Sequence, residues 1–181
     1  MNPVTILIRF IVASVLSLAL VASAATAPRP SPDFAVHLAP NKQISPTQFK
    51  GKVVVLAFIQ TTCPHCQQST QILSGIQREY GARGVQILAT AFNNYADTLV
   101  PGFIQQFKPA FPVGWSTHAE VLAYLNHSVM APLYVPSMVF IDRSGMIRYQ
   151  YLGGDPFFNN QEKNVRDTIE ELLKQPTSAK R

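Results

Sequence analysis

Two apolar runs without polar alternation stand out along the chain: Lys52 to Gln60, with Val53, Val54, Val55, Leu56, Ala57, Phe58 and Ile59 inside it, and Val85-Gln86-Ile87-Leu88-Ala89-Thr90-Ala91. A strand covered on one face alternates and one covered on both does not, so each run predicts a buried strand, the first a central one. Between them Ile72, Leu73, Ile76 and Tyr80 recur at helical spacing, with Gly81 placed to end the helix. Strand, helix, strand in this order is a βαβ crossover, and the predicted class is α/β.

The flanking segments carry weaker versions of the same signals. Phe34 to Leu38 and the residues around Ile44 surround the turn-like Ala39-Pro40-Asn41-Lys42 and predict a small hairpin. Ser45 can cap a helical turn with Pro46 first and Gly51 last. A helix is expected over Leu99 to Phe107, opened by Asp97, then a short strand over Pro112 to Trp115 and a helix over Ala119 to Leu125. Pro136 to Asp142 and Met146 to Leu152 read as a hairpin across Arg143-Ser144-Gly145. Finally, Val165, Ile169, Leu172 and Leu173 form one apolar helical face, begun at Asn159 or Asn160 with Glu162 as capping partner.

Composition changes this picture mainly at the N-terminus. Arg9 is the only charge before Arg29, and the apolar run Phe10 to Val21 leads into Ala22-Ser23-Ala24, the pattern of a cleaved export signal over residues 1–24. The alternative is an uncleaved membrane anchor, but the apolar stretch is short of the roughly 20 residues a spanning helix needs. Residues 25–32, with Pro28, Pro30 and Pro32, suit an extended tether; a single domain is expected over 33–174, with a polar tail over 175–181. The chain has 181 residues, 47% of them apolar and 14% charged, enough to bury a real core. Its basic excess is scattered rather than gathered into blocks, which argues for a solvated surface and against a nucleic-acid footprint.

The only two cysteines stand three residues apart, in Cys63-Pro64-His65-Cys66, directly after the first buried strand and at the start of its helix. Structural disulfides of small secreted domains usually come as several bridges closing longer loops, so a lone tight pair points to chemistry. At a helix start the first sulfur lies over unpaired backbone N–H groups and the positive end of the helix dipole, which favours a thiolate. Pro64 fits the first turn, where its missing N–H costs nothing, and His65 adds a donor or positive charge beside the same sulfur. Cys63 is therefore the expected nucleophile and Cys66 the resolving thiol. His37, His65, His118 and His127 show no ligand spacing, so no metal site is expected, and no cofactor motif is present.

The order Pro32-Asp33-Phe34, Phe49-Lys50-Gly51-Lys52-Val53-Val54-Val55, Cys63-Pro64-His65-Cys66 and Val135-Pro136-Ser137-Met138-Val139-Phe140-Ile141-Asp142 with Gly145 resembles the TlpA/ResA-like branch of the redoxin (AhpC/TSA) superfamily. The resemblance runs from Pro32 to about Leu173. It implies a thioredoxin fold: a central mixed sheet flanked by helices, an added N-terminal hairpin, and an insert before the Pro136 strand. It also implies that Pro136 is a cis-proline facing the cysteines, and that backbone groups of Val135 bind an extended partner segment by strand addition. Several positions depart from the family. Thr62 replaces the common aromatic residue, Ala57 occupies the buried acidic position of thioredoxin itself, and Pro64-His65 with Val135 is similar to the DsbA-like oxidases.

The function these features imply is an exported, periplasmic or otherwise extracytoplasmic thiol-disulfide oxidoreductase. It would be a monomer that exchanges a Cys63/Cys66 dithiol or disulfide with thiol- or disulfide-bearing proteins and with a redox-recycling partner. Two alternatives stay open. A thiol peroxidase of the AhpC/TSA kind would require a threonine three residues before the reactive cysteine, where this chain has Gln60. A non-catalytic redox-sensing carrier would form the same reversible disulfide without turnover.

Overall fold

The computed structural model describes residues 28–39 and 41–175; the expected export segment at 1–24 and the tail at 176–181 lie outside them. Its centre is β4 (Val53–Ile59), in which all seven side chains are buried. Successive side chains of a strand point to opposite faces, so seven buried residues in a row demand cover on both faces and a strand on each side. Both neighbours are present. β5 (Val85–Ala91) pairs with β4 in parallel and β7 (Ser137–Ile141) pairs with it antiparallel. The remaining strands are β1 (Arg29–Pro30), β2 (Val36–Ala39), β3 (Lys42–Ile44), β6 (Val113–Trp115) and β8 (Met146–Tyr151). Together they form one mixed eight-stranded sheet in the order β1-β8-β7-β4-β5-β6-β2-β3.

The two faces of β4 found two cores. Val53, Val55, Ala57 and Ile59 pack with Cys66, Leu73 and Ile76 of α1 (Pro64–Tyr80), Val100 and Phe103 of α2 (Ala96–Phe107), and Val165, Ile169 and Leu172 of α4 (Gln161–Lys174). Val54, Leu56 and Phe58 pack with Phe34 and with Val121, Tyr124 and Leu125 of α3 (His118–Leu125). Phe34 meets both Phe58 and Tyr124 in tilted or edge-on ring contacts. The mixed sheet, the hairpin β2–β3 and the β6–α3 insert answer to the expected α/β thioredoxin fold. Among the described residues no helix is long and apolar enough to cross a membrane.

Several element boundaries differ from the sequence reading for local reasons. The tether was expected to run to Pro32, yet Arg29–Pro30 already pairs with β8, and an Arg29 guanidinium nitrogen donates to the Tyr124 carbonyl at 2.7 Å, near the electronegative end of α3. A proline is tolerated there because β1 is an edge. Gly81 caps α1 as expected, its N–H bonded to the Gln77 carbonyl, but in right-handed rather than left-handed geometry. The chain continues through a tight turn over Gly81–Arg83, and Gly84, at φ 90°, reverses it. Helix α2 starts at Ala96, so Asp97 lies inside its first turn rather than at its cap. Helix α3 starts at His118, under a capping box between Thr117 and Glu120. Before α4 a tight helical turn, Pro156–Asn160, is capped by Asp155; Asn160 makes no side-chain cap, and Glu162 pairs with Arg166 instead of capping.

The turn between β7 and β8 is organised by one buried carboxylate. Asp142 Oδ1 accepts the Ser144 N–H, the Ser144 hydroxyl and the Met146 N–H, while Oδ2 accepts Arg148 Nε at 2.5 Å. Burial works to raise the Asp142 carboxyl, but these donors outweigh it and hold the group below its ordinary range. The folded carboxyl therefore titrates lower than the unfolded one. Its stabilisation is complete at neutral pH and is lost as pH falls from about 4 through the folded value. Asp142→Asn is expected to cost roughly 1–3 kcal/mol at pH 7 in urea melts, and the gap from the wild type should close below about pH 4. A gap that persisted unchanged at pH 3 would refute the charge-dependent account.

Candidate active site

Cys63 is the N-cap of α1, with extended backbone angles (φ −82°, ψ 119°), and its sulfur accepts the Cys66 N–H at 3.3 Å. A cap side chain satisfies one of the N–H groups that a helix start leaves unpaired, so the sulfur is held where a negative charge is favoured. Pro64 takes the first helical position, and α1 has no acidic residue in its first turn to offset the dipole. Pro64 and His65 are exposed, Cys63 is half-buried and Cys66 is fully buried; both sulfurs are free thiols. Burial, and next the adjacent Cys63, push the Cys66 thiol well above its ordinary value, opposed only in part by a hydrogen bond from the Gln60 backbone.

The segment that delivers Cys63 is pinned from both sides. Asn93, two residues beyond β5, accepts the Thr61 N–H at 2.9 Å and exchanges hydrogen bonds with the Thr61 hydroxyl. From α1, Gln67 Nε2 donates to the Thr61 carbonyl at 3.0 Å. Thr61 is buried, so each of these bonds removes a desolvation cost as well as fixing the bend. Sequence reasoning missed both partners. Asn93-Asn94 after an apolar run reads as a turn, and nothing local says that its amide meets a residue 32 positions upstream.

A groove of about 610 Å³ runs past this helix start, lined by His65, Ile72, Tyr134, Val135, Pro136 and Phe158, among others. The fold thus brings His65 together with Val135 and Pro136, which lie some 70 residues apart in sequence, and the Val135–Pro136 peptide is cis. Among the described residues neither the N–H nor the C=O of Val135 has a hydrogen-bond partner. On the other side a second cleft of about 590 Å³ is lined by Gln60, Thr62, Phe92, Asn93, Leu99 and His118. The pair of adjacent thiols, one half-buried and one fully buried, can exchange a disulfide with an outside thiol.

The Redoxin family model matches residues 26–169, most of the chain, including the cysteine pair and the Pro136 strand. The chain belongs to the Redoxin family. Among curated proteins the redoxin is 27% identical over 147 residues to the thiol-disulfide oxidoreductase ResA of Bacillus thuringiensis subsp. konkukian, covering 81% of this chain and 76% of that one. A thiol:disulfide interchange protein of the thioredoxin family from Chlorobium tepidum TLS superposes with a TM-score of 0.65 at 21% identity, over 83% of this chain and 99% of that one. A thiol:disulfide interchange protein from a Bacteroides species does so with 0.62 at 18% identity, over 84% and 93%. These likenesses establish the thioredoxin-like fold, and the enzyme class that goes with the family and its Cys-x-x-Cys is thiol-disulfide oxidoreductase.

The difference in burial has a direct chemical readout. In the native reduced redoxin, iodoacetamide followed by peptide mass analysis should modify Cys63 and spare Cys66 until denaturant is added. Comparable labelling of both thiols in the folded protein would contradict the geometry.

Proposed function

We propose that this redoxin is an exported protein-disulfide exchanger in which Cys63 is the nucleophile and Cys66 the resolving thiol. The observation that carries the reading is the contrast within the pair: an accessible Cys63 sulfur held at a helix start by the Cys66 N–H, beside a Cys66 closed off in the core. In the reductive direction the Cys63 thiolate attacks a partner disulfide, forming a mixed disulfide and releasing one partner thiolate. Cys66 then loses its proton and attacks Cys63, closing the Cys63–Cys66 disulfide and releasing the second partner thiol, so two electrons and two protons reach the partner. The reverse sequence oxidises a partner dithiol. Pro64 starts the helix that carries the nucleophile, His65 supplies a donor or positive charge next to it, and Val135 with Pro136 receives an extended partner segment.

Export rests on the apolar Phe10 to Val21 run and the small-residue Ala22-Ser23-Ala24 site, and it would put the pair in an extracytoplasmic, oxidant-permissive compartment. There the protein would act as a monomer on cysteine-bearing proteins, renewed by a separate redox partner. Gln60 stands where a peroxidase would need its threonine, and it lines the second cleft.

Two measurements test this reading. Cys63→Ser should abolish exchange, whereas Cys66→Ser should accumulate a mixed disulfide with partner proteins, visible as a thiol-sensitive band on a non-reducing gel; a Cys66→Ser variant that traps nothing while Cys63→Ser stays active would reverse the roles. Equilibration of the wild-type pair against glutathione gives the direction of electron flow. A potential near about −120 mV would make it a disulfide donor, and one near about −270 mV a reductant.

A further inference from the structure

We infer that Ser137, backed by Gly153, is a positioning residue for partner recognition: its hydroxyl anchors the Tyr134–Val135 peptide and thereby the backbone edge offered to a partner segment. The inference rests on the functional reading given above, and it concerns residues for which that reading had no use.

Ser137 opens β7 and is fully buried, where an alanine or valine would serve packing as well and an unsatisfied hydroxyl would be costly. Its hydroxyl is not idle. Oγ donates to the Tyr134 carbonyl at 2.8 Å and accepts the Gly153 N–H at 3.0 Å, and the same N–H approaches the Tyr134 carbonyl at 3.2 Å. A closed triangle of three hydrogen-bonding groups therefore ties the segment before Pro136 to the end of β8. Gly153 is required for the approach itself, since a Cβ there would lie 2.3 Å from the Tyr134 carbonyl carbon and 2.5 Å from the Val135 nitrogen.

Otherwise this stretch is held from outside by the apolar packing of Leu133 and Val135 against the core. The connection from α3 to β7 leaves Val129, Met130 and Tyr134 at 78%, 90% and 64% exposure, and its other hydrogen bonds, from Asn126 and His127 back to α3 and from Met130 and Ala131 to Ser128, are local. Tyr134 and Val135 line the groove beside His65, and among the described residues the Val135 backbone has no hydrogen-bond partner. Loss of the Ser137 hydroxyl would leave the Tyr134 carbonyl with only the longer Gly153 contact and loosen that edge relative to Cys63. A large partner that must pair with the edge would suffer, and a small disulfide that needs only the sulfur would not.

The test compares Ser137→Ala with wild type on two substrates, insulin and the small aromatic disulfide of Ellman's reagent. Loss of a buried hydrogen bond predicts a KM for insulin raised roughly tenfold with kcat little changed, and a rate with the small disulfide within about twofold of wild type. Ser137→Thr should restore the insulin KM, and Gly153→Ala, which displaces the same peptide from the opposite side, should reproduce the defect. An unchanged insulin KM in Ser137→Ala, or equal slowing on both substrates, would overturn the inference while leaving exchange chemistry intact. A wild-type protein inactive on both substrates would overturn the functional reading and the inference with it.

Discussion

Burial of β4 on both faces is the constraint on which the rest of the structure depends. A seven-residue apolar strand can be satisfied only at the middle of a sheet with helices above and below it, and its parallel partner β5 can be reached only by a crossover. The crossover helix α1 must then start where β4 ends. Cys63 occupies that junction, so its cap position follows from the same packing that builds the core. Chemistry and stability share one element here.

The site adds a difference in environment to this frame. Cys66 lies one turn into the helix within a cluster made of Val55, Ala57, Ile59, Leu73, Ala89 and other apolar side chains, whose burial pushes its thiol up; Cys63 stays half-buried at the edge of that cluster. The acidic side chains that complement the helix dipoles elsewhere, Asp97 and Glu120 in the first turns of α2 and α3, have no counterpart in the first turn of α1. That end of the dipole is left to the cysteine sulfur.

Supporting residues come from distant parts of the chain. Asn93 and Gln67 pin Thr61 ahead of Cys63, and Ser137 with Gly153 ties the segment ahead of Pro136. In both places a polar side chain ties a loop to a segment tens of residues away or to the adjoining helix or strand. Each is a small polar residue or glycine whose identity carries no periodic signal, and each finds its partner only after the sheet has formed. At the far end of the sheet Asp142 does the same for the β7–β8 turn, which a sequence reading recognises only as a hairpin.

What could be read along the chain was what depends on near neighbours and on hydrophobic period: the unalternating runs of β4 and β5, the helical spacing of Ile72, Leu73, Ile76 and Tyr80, the hairpin around Gly145, and a cysteine pair at a strand-to-helix junction. Even some local details were legible and passed over, such as the Thr117–Glu120 capping box. Others required the third dimension. Arg29 belongs to the fold because the end of α3 offers it a carbonyl, a further tight turn ending at Gly84 follows the Gly81 cap of α1, and Ser137 is engaged because Gly153 closes on it from beyond β8. Periodicity reports which residues leave water; only the packed sheet decides which hydrogen-bonding groups meet, because that choice is made between segments tens of residues apart.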